Sequence, residues 1–360
     1  QKALEGALEE GARGVSLGLG YAPECFYTTE ELIAVLSVLR GTNIPVTVHM
    51  REEGDGVCDA LEEMLTVARR LQIPVHISHL KAMGRRNWGE KIPRAIALMD
   101  RAREEGLEVS CDVYPYTAGS TQLIHILPPD FLTGGTAAIT QRLKDPARRR
   151  ELAERIQKGR DFDNIAGMVG WDNILCSTLS QPENRPLQGM GVADIEGSKG
   201  KDPFTCVCDL QVSEACAITM IDFITDEADI EKILRLPYSA VISDSTYPTA
   251  GKRHPRVYGT FARILERYVR ERKVLTLPEA VASMPALPAA ALGLGGKGRL
   301  AAGMDADIAV FDPTAVHEAG TYANPHQSAQ GMDWVLVGGV PAIADGALTG
   351  AKPGRVIRRG

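Results

Sequence analysis

An α/β fold built on a parallel sheet is predicted for this 360-residue sequence by three observations. Short β-rich runs alternate with amphipathic helical stretches. The runs recur at a spacing of roughly 30 residues, the size of a βαβ unit. Each run ends in polar residues, where α/β sheets carry their sites. Composition agrees with a globular chain: 44% hydrophobic, 24% charged, mean hydropathy -0.10.

The strands are expected at Gly14–Leu19 (GVSLGL), Val46–Met50 (VTVHM), Val75–Leu80 (VHISHL) and Val109–Val113 (VSCDV), with a fifth at Ser239–Ser243 (SAVIS). Helices are expected between them at Thr29–Leu39, Asp59–Leu71 and Pro93–Glu105. In "ALEEMLTVARRL" the apolar positions recur at three- and four-residue steps, the pattern of a helix with one buried face. Pro45, Pro74 and Gly106 end the preceding helices just before the strands.

Between the fourth and fifth strands, from about Ser120 to Asp229, lies a long excursion. It holds the charged helical run "DPARRRELAERIQKGRDF" and the Gly- and Asn-rich "QPENRPLQGMGVADIEGSKGKD". It reads as an insertion over the strand ends, since loops of this length in compact domains are usually functional. Helices follow at Thr260–Arg272 and Leu277–Leu294. The tail, "GRLAAGMDADIAVFDP" and "MDWVLVGGVPAIADG", has the short strands and tight turns of a small β domain. The expected division is therefore a barrel-type or open α/β domain over 1–294 and a β domain over 295–360. Five βα units fit either an open sheet or part of an eight-stranded barrel, and both place ligands at the carboxyl ends of the strands.

A formal charge of -6 gives no electrostatic reason to expect nucleic acid as a partner, and no run is long and apolar enough to span a membrane. Seven cysteines without a CxxC pair suit reduced thiols in a cytoplasmic protein better than a disulfide framework. Oligomeric state is left open. The chain opens "QKALEGALEEGARGVSLGLG", without an initiator Met and in what reads as mid-helix, so an upstream segment is expected to be missing.

The strand ends carry a coherent set of side chains. The second ends in His49 and the third in His79, followed by Leu80 and Lys81. The fourth runs into "DVYPYTAGST" and the fifth ends in Asp244. A lone histidine in a strand is more often a satisfied structural group than a ligand. Two at equivalent ends of consecutive strands, with a carboxylate at a third, point instead to a catalytic centre. His76 has the opposite parity to Val75, Ile77 and His79, so it is expected to face the helices as a packing residue. His125, His317 and His326 are left unassigned. Neutral imidazoles bind Zn²⁺ well, and a catalytic zinc activates water while a nearby aspartate moves its proton. Two histidines alone make a poor site, and a third ligand is expected from elsewhere.

The segments "GLGYAPECFYTTEEL", "VHMREEGD", "ISHLKAMG", "DVYPYTAGST", "ISDS", "HPRVYGTFARILERYVRE" and "GRLAAGMDADIAVFDP" are similar to one known family. Together they resemble the D-aminoacylase (N-acyl-D-amino-acid deacylase) branch of the amidohydrolase superfamily. The resemblance implies an amidohydrolase-type TIM (β/α)8 barrel, its N-terminal strands apparently missing, with a small β-sandwich domain. It implies His49 and His79 as zinc ligands on barrel strands five and six, and Asp244 on strand eight as general acid/base. Lys81, Tyr114 and Ser120 resemble the polar lining of the family's substrate pocket. Arg256 resembles the arginine that grips the substrate carboxylate, a task suited to its planar fork; the alternative for Arg256 is a weak surface ion pair.

The implied activity is zinc-dependent hydrolysis of an N-acyl-D-amino acid, a small-molecule substrate, with one catalytic ion. The family's strand-one His-x-His and strand-two cysteine are absent, and the usual Gly-Ser-Asp-Gly around the acid/base is Ile242-Ser243-Asp244-Ser245. The remaining ligands are expected from the missing N-terminal segment; a chain truly starting at Gln1 is expected to show weak or no metal binding and no activity. The rivals are a dihydroorotase- or hydantoinase-type cyclic-amide hydrolase, disfavoured because "GVSLGL" lacks a lysine to bridge two metals, and an inactive amidohydrolase-like protein.

Overall fold

The computed structural model describes residues 1–159, 162–246 and 251–359, with the side chains of 196–199 outside the description. Four strands come first: β1 (Val15–Gly18), β2 (Val46–His49), β3 (Val75–Ile77) and β4 (Val109–Val113). The insertion adds β5 (Ala118–Gln122), β6 (Ile174–Thr178) and β7 (Thr219–Phe223), after which β8 (Ser239–Val241) returns to the first sheet. That sheet has the order β1-β2-β3-β4-β8, every pair parallel, with Val15 beside Val46, Val46 beside Val75, Val75 beside Val109 and Cys111 beside Ser239. The five predicted strands are thus the five observed, in sequential order with right-handed crossovers expected of βαβ units.

Helices cover one face of the sheet. The first, Thr29–Leu36, opens with a capping box in which Thr28 N–H donates to Glu31 Oε2 at 2.8 Å. It stops short of the predicted Leu39 because Ser37–Leu39 tighten into a 3₁₀ turn. Val57–Leu71 and Lys91–Glu104 follow. Leu61, Met64 and Leu65 of the former lie in one core with Val46, Val48, Val75, Ile77 and Val109 of the strands. The predicted helix at 260–272 begins earlier, at Arg256, and widens into π-type turns over Ile264–Glu271. Leu277–Ala291 is likewise interrupted over Ala282–Ala286, where Pro285 has no N–H to give the helix.

Two expectations are corrected. First, β3 ends at Ile77 rather than Leu80: Ser78 N–H still reaches Val48 O, but His79 turns to φ 38° and its N–H donates to the side chain of Asp112. Parity counted from Val75 therefore fails at residue 79. Val75 and Ile77 belong to the core against the helices, so His76 takes the opposite face of the sheet, not the helix side. Second, the insertion is more than charged helix and loop. Its strands form an antiparallel sheet, β5-β7-β6, over a separate core that includes Leu123, Ile174, Cys176, Val207 and Met220. The charged helix is present as Pro146–Lys158, capped by Asp145.

The tail forms β9 (Ile308–Phe311), β10 (Met332–Val337), β11 (Val340–Ala344) and β12 (Ala347–Leu348), a four-stranded antiparallel sheet as its turn-rich sequence predicts. No helix among the described residues is long and apolar enough to cross a membrane, and all seven cysteines are free.

Leu61 is fully buried where helix meets sheet. Leu61→Ala is expected to cost about 2–5 kcal/mol through lost transfer energy and a residual cavity. Urea unfolding checks this, and a loss below ~1 kcal/mol would place Leu61 outside the shared core.

Candidate active site

The carboxyl ends of β1, β2, β3, β4 and β8 open into a cavity of about 1030 Å³ roofed by the insertion. All seven residues singled out from the sequence line it: His49, His79, Lys81, Tyr114, Ser120, Asp244 and Arg256.

His49 ends β2 and its Nδ1 lies 3.0 Å from His79 Nε2. Gly20, after β1, lets the backbone approach this ring: a Cβ there would sit 2.5 Å from His49 Nε2. Tyr21 stacks on His49 with centroids 4.4 Å apart, and the His125 ring meets Tyr21 at a tilt, also with centroids 4.4 Å apart. Burial pushes the His49 pKa down to about 3, so the ring is neutral and one of its two nitrogens carries a lone pair.

His79 is held from behind. Asp112 on β4 accepts its backbone N–H, and the same carboxylate lies 2.7 Å from His76 Nε2, while His76 Nδ1 meets Ser110 Oγ at 2.7 Å. His76 is thus a hydrogen-bonded structural residue, though on the inner face.

The sequence reading missed Glu53. It lies in the loop after β2, buried, with Oε1 2.6 Å from Lys81 Nζ, 2.9 Å from His79 Nδ1 and 3.8 Å from His49 Nδ1. Burial opposes its charge, but His49, Lys81 and His79 outweigh this and hold its carboxyl well below the usual range. His49, Glu53 and His79 form a compact group in which the three potential ligand atoms lie within 4.8 Å of one another. Two neutral imidazoles and one carboxylate suit a divalent transition metal. A third potential donor thus lies in the segment "VHMREEGD" itself. Only the fold distinguishes Glu53 from its neighbour Glu52.

The loop carrying Glu53 is anchored by the insertion: Asp163 accepts from the N–H groups of Glu53 at 2.6 Å and Gly54 at 3.2 Å. Burial raises the Asp163 pKa to about 7.

Asp244 follows β8 with φ 47°, a left-handed conformation that β-carbon residues rarely adopt. Its Oδ2 lies 2.9 Å from Arg256 Nη1. Arg256 is buried rather than on the surface, which removes the weak surface-pair alternative. Its guanidinium sits 4.8 Å from the centroid of the Tyr114 ring, and Nη2 donates to Ser120 O at 3.2 Å. Ser120 Oγ meanwhile donates to Met220 O at 2.8 Å, so Ser120 meets the arginine through its backbone. His254, also missed, accepts the Arg256 N–H on Nδ1 at 3.0 Å. Tyr114 Oη is buried without a partner, and burial drives its pKa well above the usual value.

Comparison with known proteins places this geometry. The profile of an amidohydrolase family matches residues 230–343. The chain is 36% identical over 358 residues to a D-aminoacylase of Alcaligenes xylosoxydans xylosoxydans, covering 99% of this chain and 63% of that protein. It is 35% identical to an N-acyl-D-glutamate deacylase of the same organism, over 100% of this chain and 63% of the relative. Over nearly its whole length this chain is similar to the D-aminoacylases. It spans less than two thirds of the length of these relatives. A solved N-acyl-D-glutamate deacylase from Bordetella bronchiseptica, complexed with zinc and a phosphonate that mimics the tetrahedral intermediate, superposes with a TM-score of 0.80 at 33% identity. That match covers 99% of this chain and 64% of the other. A solved D-hydantoinase shares the fold at 15% identity and a TM-score of 0.55. The five-stranded parallel sheet is accordingly of the amidohydrolase TIM-barrel type.

His125 lines the cavity, and burial lowers its pKa from 6.5 to about 4. Between those values the unfolded chain binds a proton that the folded chain refuses, so stability rises with pH up to about 6.5 and is lost as pH falls toward 4. His125→Gln is expected to flatten the urea-midpoint profile in this window; an unchanged slope would show that His125 carries none of it.

Proposed function

We propose that the protein hydrolyses the amide bond of N-acyl-D-amino acids, taking up water and releasing a carboxylate and a free D-amino acid, with zinc as its metal. The observation that carries this reading is the convergence, in one cavity, of the His49–Glu53–His79 group with the Asp244–Arg256 pair. His49, Glu53 and His79 would hold the ion. Bound zinc supplies a Lewis acid that polarises the amide carbonyl and makes water more acidic.

The chain's own residues do the rest. Asp244, one oxygen turned to Arg256, takes the proton of the attacking water and delivers it to the departing nitrogen. Arg256 receives the substrate's α-carboxylate, for which its buried guanidinium is already oriented by Ser120 O and the Tyr114 ring. Lys81 is paired with Glu53 and faces the same space, where it favours the charge that develops on the carbonyl oxygen. The insertion keeps the cavity covered and, through Asp163, fixes the Glu53 loop. With seven free thiols and a small-molecule substrate, the reading is of a cytoplasmic protein.

Release of amine from N-acetyl-D-amino acids, together with zinc content by elemental analysis, tests the proposal. Metal-free protein inactive on every stereoisomer would sink it, and hydrolysis of a hydantoin or dihydroorotate instead would favour the cyclic-amide reading. Asp244→Asn should keep its metal while kcat falls by about 10²–10⁴-fold, the usual worth of general acid–base catalysis; unchanged turnover would refute its proton-carrying role. His79→Asn should lose zinc and activity together, and retained zinc would refute it as a ligand.

A further inference from the structure

The cavity extends well beyond the groups used in the chemistry above. At about 1030 Å³ it lies at the top of the range that holds drug-sized ligands, whereas an N-acetyl amino acid has only about a dozen heavy atoms. The order of the parallel sheet shows which end of a substrate meets the remaining space. Asp244 and Arg256, to which the reading above gives the departing nitrogen and the carboxylate, both follow β8, one edge of the sheet. His49 and His79 stand at the ends of β2 and β3. In an N-acyl amino acid the acyl group leaves the scissile carbonyl on the side opposite the nitrogen. A substrate anchored beyond β8 and cleaved beside β2 and β3 therefore points its acyl group toward β1, the other edge.

What the chain places after β1 is apolar. Tyr21 stacks on the His49 ring, and Phe26, farther along the same loop, lines the cavity while 52% exposed. Leu132 and Phe162 of the insertion line the same cavity and are only partly buried. Phe26 is nonetheless held in place. Arg51 Nη1 donates to Cys25 O at 2.6 Å and Nη2 to Tyr27 O at 2.8 Å, gripping the backbone on both sides of it. Arg51 also forks onto Glu63 through Nε and Nη2, both at 2.9 Å, so it serves the loop rather than an acidic ligand. Apolar side chains left uncovered on the wall of a cavity gain by being buried under a ligand.

We propose that the β1 side of the cavity is an acyl subsite, with Phe26 as its specificity-determining residue, and that it selects N-acyl-D-amino acids whose acyl group is an apolar chain longer than acetyl. The inference rests on the deacylase reading above and names the acyl half of its substrate, which that reading leaves open. Phe26, Leu132 and Phe162 form the apolar wall. A chain lying against them gives up its water shell, and each methylene fully buried favours binding about fourfold. An acetyl group, with one methyl to bury, gains almost none of this.

The test runs N-acetyl-, N-butanoyl- and N-octanoyl-D-leucine, each below its micelle concentration, on the zinc-loaded full chain. From acetyl to octanoyl, kcat/KM should rise by at least about tenfold, mainly through KM. A flat or falling series would overturn the proposal. Phe26→Ala should shrink the octanoyl-to-acetyl ratio at least about threefold, and Phe26→Leu should restore most of it. A merely structural role would lower both substrates alike and leave the ratio unchanged, which would also overturn it. Phe26 is half exposed, so its truncation opens no core cavity and the variants keep their fold. Calorimetric binding of the three ligands to zinc-loaded Asp244→Asn keeps the two readings apart. Should wild type release amine from none of them while the octanoyl ligand still binds at least about tenfold tighter than the acetyl, the catalytic reading falls alone. Equal affinities would sink the acyl subsite by itself.

Discussion

Glu53 accepts from the Lys81 ammonium at 2.6 Å while lying within 2.9 Å of His79 and 3.8 Å of His49. In a buried environment these groups are tolerable only together: an ammonium without the carboxylate, or the carboxylate without the ammonium, would be an uncompensated charge out of water. The neutral state of His49 depends on the same balance of burial and charge. The loop that delivers Glu53 is held by two backbone N–H groups on Asp163, so the insertion is energetically part of the centre and more than a cover for it.

Two residues of the site sit in left-handed backbone conformations, His79 at φ 38° and Asp244 at φ 47°. Each follows a strand of the parallel sheet, and each is fixed by a side-chain partner: Asp112 for His79 and Arg256 for Asp244. Such conformations cost of order 1–3 kcal/mol each and persist where the surroundings over-determine them. At these strand ends they turn an imidazole and a carboxylate out of the pleat and into the cavity, an orientation regular strand geometry would not give.

The parallel sheet and the separate insertion divide the work. The sheet presents the metal-type donors and Asp244, while the insertion sheet presents Asp222 and the backbone of Ser120, to which Arg256 binds. The cavity therefore lies where two separate cores meet.

How much of this was legible in the chain follows from the range of the interactions involved. The βα period, the helix faces and the strand-end residues His49, His79 and Asp244 are local patterns, and sequence alone determined them, along with the resemblance to the D-aminoacylases through its motifs. The side on which His76 lies was misjudged because the strand stops at Ile77, and what stops it is Asp112, on the next strand. Glu53 could not be told from Glu52 because burial beside His49 and His79, not identity, sets it apart. The insertion strands escaped notice because β5 and β7 pair across roughly a hundred residues, a contact that no local periodicity encodes. Short-range physics wrote the scaffold into the sequence. The grouping of His49, Glu53 and His79 arises only where distant segments are brought close enough to desolvate one another's charges, and tertiary structure alone decided it.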